Sequence, residues 1–449
     1  MVVAELPRRA KTKGSVSART TELGGRPAML VEFDTRRRRG AIRQRDGDTL
    51  ADAARAALAA EIPLVIAIAS SGADVNEGVA ALHGWGSAAR EFVRCSGTVP
   101  IVAIVCGPAL SGPALLLGLS DVVVMTDTAY AFVSGPQMIR DYTGVEIAKE
   151  ALGGAGPATA SNGCASLVVG DREEALDAVG DLLALLPSHV DQEPPRWDTA
   201  DPPHRSCPGL EEIIPTAATG SYDIRDVLER VVDDGYLLEL KPNWATNLVT
   251  ALATVDGHPV GLVANQPTSI AGTLDIKSSQ KGAGFVSLCD AFNLPLITFI
   301  DTPGFYPGKD LEWRGMIRQG AQLAFAYARA TVPRVAVTLR KSYGGAYIVM
   351  DSKHMGNDVM LAWPTAEIAV MGARGAIEIL HRGATPEERT ALESSYEERL
   401  LNPYVAAARG SVDRVIEPSD TRSEIAEALA MLATKRERLR PRRHDNSPL

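Results

Sequence analysis

Val332-Pro-Arg-Val-Ala-Val-Thr-Leu-Arg-Lys-Ser-Tyr-Gly-Gly-Ala-Tyr-Ile-Val-Met350 runs from a β-branched, apolar stretch through a Ser-Tyr-Gly-Gly-Ala turn into an apolar helix. Glycine admits backbone conformations closed to other residues, and the first N–H groups of a helix have no partner inside it. The layout therefore points two adjacent backbone N–H groups outward, where they can hold an anion.

The same layout occurs twice. Val99-Pro-Ile-Val-Ala-Ile-Val-Cys-Gly-Pro-Ala-Leu-Ser-Gly112 aligns without a gap on the segment from Val332 to Gly345, at an offset of 233 residues (332 minus 99). Upstream, Gly24-Gly-Arg-Pro-Ala-Met-Leu-Val-Glu-Phe-Asp34 matches Asp256-Gly-His-Pro-Val-Gly-Leu-Val-Ala-Asn-Gln266 at an offset of 232 (257 minus 25). Pro63-Leu-Val-Ile-Ala-Ile-Ala-Ser-Ser-Gly72 matches Pro295-Leu-Ile-Thr-Phe-Ile-Asp-Thr-Pro-Gly304, again at 232. Runs that are apolar at successive positions predict fully buried central strands, and the turns at the ends of such strands are where α/β proteins place their sites. Strands at Asp121–Met125 and Tyr130–Val133 have counterparts at Asp358–Trp363 and Glu367–Met371. The architecture expected is α/β, two homologous domains built of repeated β-β-α units.

Size agrees, since 449 residues exceed what one growing core accommodates. The divisions read from composition are an arm at 1–22, a first domain at 23–190, a proline-rich linker at 191–220, a second domain at 221–434 and a basic tail at 435–449. Helices are expected at about Thr49–Ala60, Glu77–Cys95, Asp223–Asp234, Ala376–Leu380 and Pro386–Leu401. Pro113 suits the first position of a helix, which leaves Ser111 and Gly112 at its start with their N–H groups free.

A formal charge of −9 argues against a nucleic-acid partner. No run of about 18 apolar residues exists, and Met1–Lys13 carries no secretory apolar region, so no membrane span and a cytoplasmic location are expected. Cys95, Cys106, Cys164, Cys207 and Cys289 form no Cys-x-x-Cys pair and are expected to be buried and inert. The histidines include no His-x-x-x-His pair, so no metal site is expected. No phosphate loop and no Gly-x-Ser-x-Gly elbow occur.

Two adjacent N–H groups at a helix start suit an oxygen that becomes negative during reaction, because fixed dipoles need no reorganisation; one such donor is typically worth about 3 to 4 kcal/mol of barrier. A Gly-Gly between strand and helix can equally be a tight turn and nothing more, and duplication preserves structural turns too.

Longer strings carry a family resemblance. Phe299-Ile-Asp-Thr-Pro-Gly-Phe-Tyr-Pro-Gly308, Arg340-Lys-Ser-Tyr-Gly-Gly-Ala-Tyr347 and Ala362-Trp-Pro-Thr-Ala-Glu-Ile-Ala-Val-Met-Gly372 resemble the carboxyltransferase (β) subunits of biotin-dependent acyl-CoA carboxylases of the propionyl-CoA and acetyl-CoA type. Glu77-Gly78, Gly107-Pro108, Phe132-Val-Ser-Gly-Pro136, Gly153-Gly-Ala155 and Asn265-Gln-Pro267 are similar to the same family, and the resemblance runs from about residue 24 to 430.

The resemblance implies two crotonase-like (ClpP/crotonase) domains, acyl-CoA on the first and biotin on the second, meeting across a subunit boundary. It implies that Gly345 and Ala346 hold the biotin enolate oxygen after carboxybiotin loses CO2, while the first turn holds the thioester enolate that captures it. Biotin then supplies the difficult chemistry, and no side-chain base is needed. Thr302, Pro303, Gly304, Phe305 and Tyr347 fall on the biotin side. Gly72, Ala73 and Ile348 fall on the acyl-CoA side, Ile348 at a family position that influences acyl choice. Arg36, Arg38 and Arg39, within a basic cluster, could meet the CoA phosphates, or could be a solvated surface.

The first turn departs from the family, which has Gly-Gly where this chain has Ser111-Gly112-Pro113. Either Ser111 and Gly112 donate, or internal alignment pairs Gly345-Ala346 with Gly112-Pro113, and Pro113 has no N–H to give. The family's Asp-Ser-Gly-Gly-Ala-Arg string is Ser70-Ser-Gly-Ala-Asp-Val75 here, without its arginine.

The expected activity is carboxyl transfer from carboxybiotin on a carrier protein to the α-carbon of a short acyl-CoA. A biotin-dependent decarboxylase or transcarboxylase subunit, and a non-catalytic scaffold of a carboxylase complex, stand as alternatives. Biotin carboxylase and a biotin carboxyl carrier are the expected partners, around a homo-hexameric core.

Overall fold

Leu64-Val-Ile-Ala-Ile-Ala-Ser70 is buried at every position, and so is Leu296-Ile-Thr-Phe-Ile-Asp-Thr302; each forms a central strand of its own sheet. The computed structural model describes residues 14–217 and 219–448. They divide into two compact units. One runs to Pro195 and takes in Lys241–Trp244 and Ala291–Asn293, while the other holds Arg196–Leu240, Ala245–Asp290 and the chain from Leu294 onward.

The first unit contains β1 (Val16–Leu23), β2 (Arg26–Phe33), β3 (Leu64–Ser70), β4 (Ile101–Leu110), β5 (Val122–Thr126), β6 (Tyr130–Phe132) and β7 (Leu167–Val169). The strand order is β1-β2-β3-β4-β5-β7 with β6 also on β4, and only the β1–β2 pair is antiparallel. The second unit contains β8 (Leu238–Glu239), β9 (Leu248–Val255), β10 (His258–Asn265), β11 (Leu296–Thr302), β12 (Arg334–Tyr343), β13 (Val359–Ala362), β14 (Glu367–Ala369) and β15 (Arg414–Val415). Its order is β15-β13-β12-β11-β10-β9-β8, with β14 also on β12. Parallel strands covered on both faces read as unbroken apolar runs, which is why β3, β4, β11 and β12 were legible.

The repeat extends to irregularities. The register between β3 and β4 slips between Ile68 and Ser70, and that between β11 and β12 slips between Ile300 and Thr302. The three-residue turn Arg38–Gly40 has positive φ throughout, and so has Ile270–Gly272. Such slips re-aim the residues that follow them.

Several expectations need correction. Residues 16–23 are not a loose arm but the strand β1, joined to β2 through Gly24 and Gly25 at φ +56° and +73°. Its apolar content is low because it is an edge strand with only one residue fully buried; residues 1–13 of the expected arm lie outside the described residues. The expected linker is folded onto the second unit from Arg196: Cys207, Leu210 and Ile214 join its core, and Arg205 ties Asp201 to the carbonyls of Arg230 and Val232. Proline there marks irregular packed chain. The basic tail begins anchored, with the half-buried Lys435 ammonium donating to Asp358 (2.8 Å) and to the Val332 carbonyl (3.1 Å). Cys106 and Cys164 are only partly buried; all five cysteines are free thiols, and burial pushes Cys95 up to about 11.

Candidate functional site

In the second unit the ends of β10, β11 and β12 converge. β11 runs out into Thr302-Pro303-Gly304-Phe305, and β12 turns at Gly344 into the helix Gly344–Val349. Gly344 has φ +59°, which glycine adopts without strain, and a Cβ there would lie a tight 3.1 Å from the Val370 carbonyl oxygen. Gly345 and Ala346 follow within the first turn of the helix, where N–H groups have no intrahelical acceptor. The Phe305 ring lies against Gly345, with its Cε2 at 3.4 Å from where a Cβ would stand. Loop 302–305 and turn 344–346 therefore meet.

Thr302 is fully buried, and its hydroxyl closes the turn on Gly304. It shapes the loop and does not face outward. Tyr347 differs: its hydroxyl and that of Ser342 are buried with no hydrogen-bond partner among the described residues. Ile348 is exposed on the outer side of the helix.

A buried network unforeseen in the sequence holds this geometry. Asp301 accepts from Arg340 Nε (3.0 Å), from the Tyr222 hydroxyl (3.0 Å) and from the Lys341 N–H (3.1 Å), so one carboxylate joins β11 to β12 just before both turns. Arg340 also donates to the Gly220 carbonyl at 3.0 Å. Burial, then the Asp301 charge, drives the Tyr222 phenol far up, so it stays a neutral donor. Charged residues inside two motifs, on otherwise apolar adjacent parallel strands, were the available signal for Asp301 and Arg340; nothing local marked Tyr222.

The first unit repeats the arrangement with different chemistry. β3 ends in Ser70-Ser71-Gly72-Ala73, and β4 reaches Ser111 before the 3-10 helix Gly112–Leu119. The Arg36–Arg39 segment belongs to the same loop cluster: Ser71 N–H donates to the Arg39 carbonyl, Ile42 N–H to Gly72, and Asp74 N–H to Ile42. Ala73 bridges Ile42 as Phe305 bridges Leu274. Arg36 pairs with Asp34 at 2.9 Å while its side chain stays 89% exposed; Arg38 lies 3.8 Å from Asp74, and Arg39 is exposed. Asp74, also missed, is a buried anchor whose hydrogen bond from Arg43 (2.6 Å) holds its carboxyl below the usual range.

The first turn corrects one expectation. Ser111 N–H is not free, because it donates to the Phe132 carbonyl at 2.9 Å and so extends the pairing of β4 with β6. Ser111 has φ +63°, the counterpart of Gly344 at +59°, which pairs Gly112 with Gly345 and Pro113 with Ala346. Gly112 lies beneath Trp85, whose Cε2 is 2.9 Å from the position a Cβ would take.

The family described as "Carboxyl transferase domain" matches residues 3–447. The chain belongs to that family. This carboxyltransferase is 46% identical over 387 residues to the propionyl-CoA carboxylase carboxyltransferase subunit of Haloferax mediterranei, covering 85% of this chain and 75% of that one. It is 41% identical over 396 residues to methylmalonyl-CoA decarboxylase subunit alpha of Veillonella parvula, covering 88% and 77%. It is 40% identical over 443 residues to the methylmalonyl-CoA carboxyltransferase 12S subunit of Propionibacterium freudenreichii subsp. shermanii, covering 97% and 84%. A crystal structure of transcarboxylase 12S, described as a hexamer with methylmalonyl-coenzyme A and methylmalonic acid bound, superposes with a TM-score of 0.95 at 40% identity, covering 97% and 85%. The carboxyltransferase has the crotonase-type α/β fold expected from its motifs. No helix among its described residues is long and apolar enough to cross a membrane.

Proposed function

We propose that this carboxyltransferase moves a carboxyl group between biotin on a carrier protein and the α-carbon of a short acyl-CoA. The observation that carries the reading is the doubled site: two strand-to-helix turns at equivalent positions, each beside a glycine turn of the neighbouring strand.

The residues of the second unit fit biotin. Two buried hydroxyls without partners, at Tyr347 and Ser342, adjoin a turn with unpaired helix-start N–H groups, and Phe305 supplies an apolar wall. When bound there, biotin supplies the carboxyl group and the basic nitrogen for the α-proton, so the chain needs no side-chain base. Gly345 and Ala346 aim their N–H groups at its carbonyl oxygen, Pro303, Gly304 and Phe305 line the slot that Thr302 shapes, and Tyr347 contributes its hydroxyl. In the first unit the Gly112 N–H faces the thioester oxygen, Gly72 and Ala73 line the acyl group, and Arg36, Arg38 and Arg39 bind the CoA phosphates. Ile348 sets the acyl size, with the two sides supplied by different copies of the chain in a hexamer. Biotin carboxylase and the biotin carrier are the partners, and the assembly works in the cytoplasm.

The reverse direction, decarboxylation or transcarboxylation, is a second reading, supported by identities of 41% and 40% to subunits named for those reactions. The test supplies purified chain with biotinylated carrier, biotin carboxylase, ATP and labelled bicarbonate, against a panel of acyl-CoAs. Label fixed into a short acyl-CoA supports carboxylation, and transfer of the carboxyl group from a carboxylated acyl-CoA to biotin on the carrier, leaving the decarboxylated acyl-CoA, supports the reverse. Neither, beside an active control subunit, would leave a scaffold role.

A further inference from the structure

The two turns differ at the two residues that flank the central glycine. Where the second unit has Gly344 and Ala346, the first has Ser111 and Pro113. Ser111 is held at φ +63°, ψ −148°, a conformation that a residue with a side chain adopts only under strain. Its N–H is bonded to Phe132, and Pro113 has none, so Gly112 is the one backbone donor left at this turn.

The Ser111 side chain occupies a telling place. Its Cβ stands 3.2 Å from where a Cβ on Gly72 would be, so it projects between the two glycine-bearing turns of the first unit. The residue is exposed, and its hydroxyl makes no hydrogen bond among the described residues. A serine hydroxyl rotates freely to donate.

We propose that the Ser111 hydroxyl is a catalytic donor to the thioester oxygen, replacing the N–H that Pro113 lacks. This rests on the carboxyltransferase reading above. Strain at position 111 persists because the side chain it carries is used; glycine would relieve the backbone and remove the donor. No proton is transferred: the hydroxyl gives a hydrogen bond that strengthens as negative charge develops on the oxygen.

The test compares S111G, S111A, P113A and S111G/P113A in the full chain with biotinylated carrier, by steady-state kinetics and thermal unfolding. S111G is expected to unfold at a higher temperature than wild type yet to lose about 10²-fold in kcat, the scale of one lost oxyanion donor, with a smaller change in KM for acyl-CoA. S111A is expected to lose similarly. The double variant S111G/P113A regains most of the rate, because Ala at 113 restores a backbone N–H. Wild-type kcat in S111G, or a folded double variant no faster than S111G, overturns the proposal while leaving the carboxyltransferase reading intact. A wild-type chain without carboxyl transfer overturns both.

Discussion

Asp301 and Arg340 form a buried ion pair at positions where the first repeat has Ala69 and Gly107, and there a Cβ on Gly107 would touch the Ala69 Cβ at 3.2 Å. One half of the molecule fills this space with charge and the other with almost nothing. Removing one member of such a pair leaves an uncompensated buried charge and costs about 3 to 5 kcal/mol, whereas replacing both costs less than the sum of the singles. Arg340→Met is therefore expected to lower the unfolding temperature strongly, and Asp301→Ala in the same chain to restore part of it. Additive losses in the double variant would show that the pair does not act as a unit.

Asp121 makes the opposite case, a largely enclosed carboxyl with no cation beside it among the described residues. It accepts the Ile101 N–H at 2.7 Å, and burial raises it from 3.8 to about 6, whereas its counterpart Asp358 receives Lys435 at 2.8 Å. With the folded pKa above the unfolded one, the folded state keeps its proton longer, so stability falls as pH rises from about 4 to about 6 and stays lost above. Asp121→Asn is expected to raise the unfolding temperature at pH 7 and to flatten this part of its pH dependence. A lower unfolding temperature at pH 7 would mean that the ionised carboxylate is stabilising.

At the scale of elements, the turns Arg38–Gly40 and Ile270–Gly272 share one backbone shape and differ only in what they display. Fold is conserved between repeats because the sheet needs the turn; arginine is free to appear in the first because its side chain reaches solvent. Making Arg36, Arg38 and Arg39 alanine together is expected to weaken acyl-CoA binding several-fold at low salt, to matter little near 1 M salt, and to leave the unfolding temperature within about a degree. Unchanged binding by titration calorimetry would return the cluster to a solvated surface. The glycine turns were legible because their spacing repeats and glycine has few other reasons to recur there. The state of Ser111 N–H was not, since its acceptor, Phe132, comes from a strand whose pairing no local pattern reveals. Likewise Tyr222 reaches Asp301 from a segment read as lying beside a linker.

For the whole molecule, large apolar side chains remain exposed on the second unit, including Trp313 (77%), Ile317 (85%) and Val370 (75%). Burying such side chains against another copy would remove apolar surface from water. The chain is expected to sediment as a hexamer of its 47.6 kDa subunit, and Ile317→Glu to shift it toward smaller species. A monomer at micromolar concentration in the unmodified protein would contradict the assembly proposed.

By itself the amino-acid sequence determined the duplication, the central strands and the glycine turns, because unbroken apolar runs and repeated glycines report burial and backbone conformation residue by residue. Tertiary structure decided which donors remain available at those turns. A hydrogen bond depends on where a distant strand end comes to lie, as Phe132 does beside Ser111, and that position is set by the packing of the sheet and not by the residues of the turn.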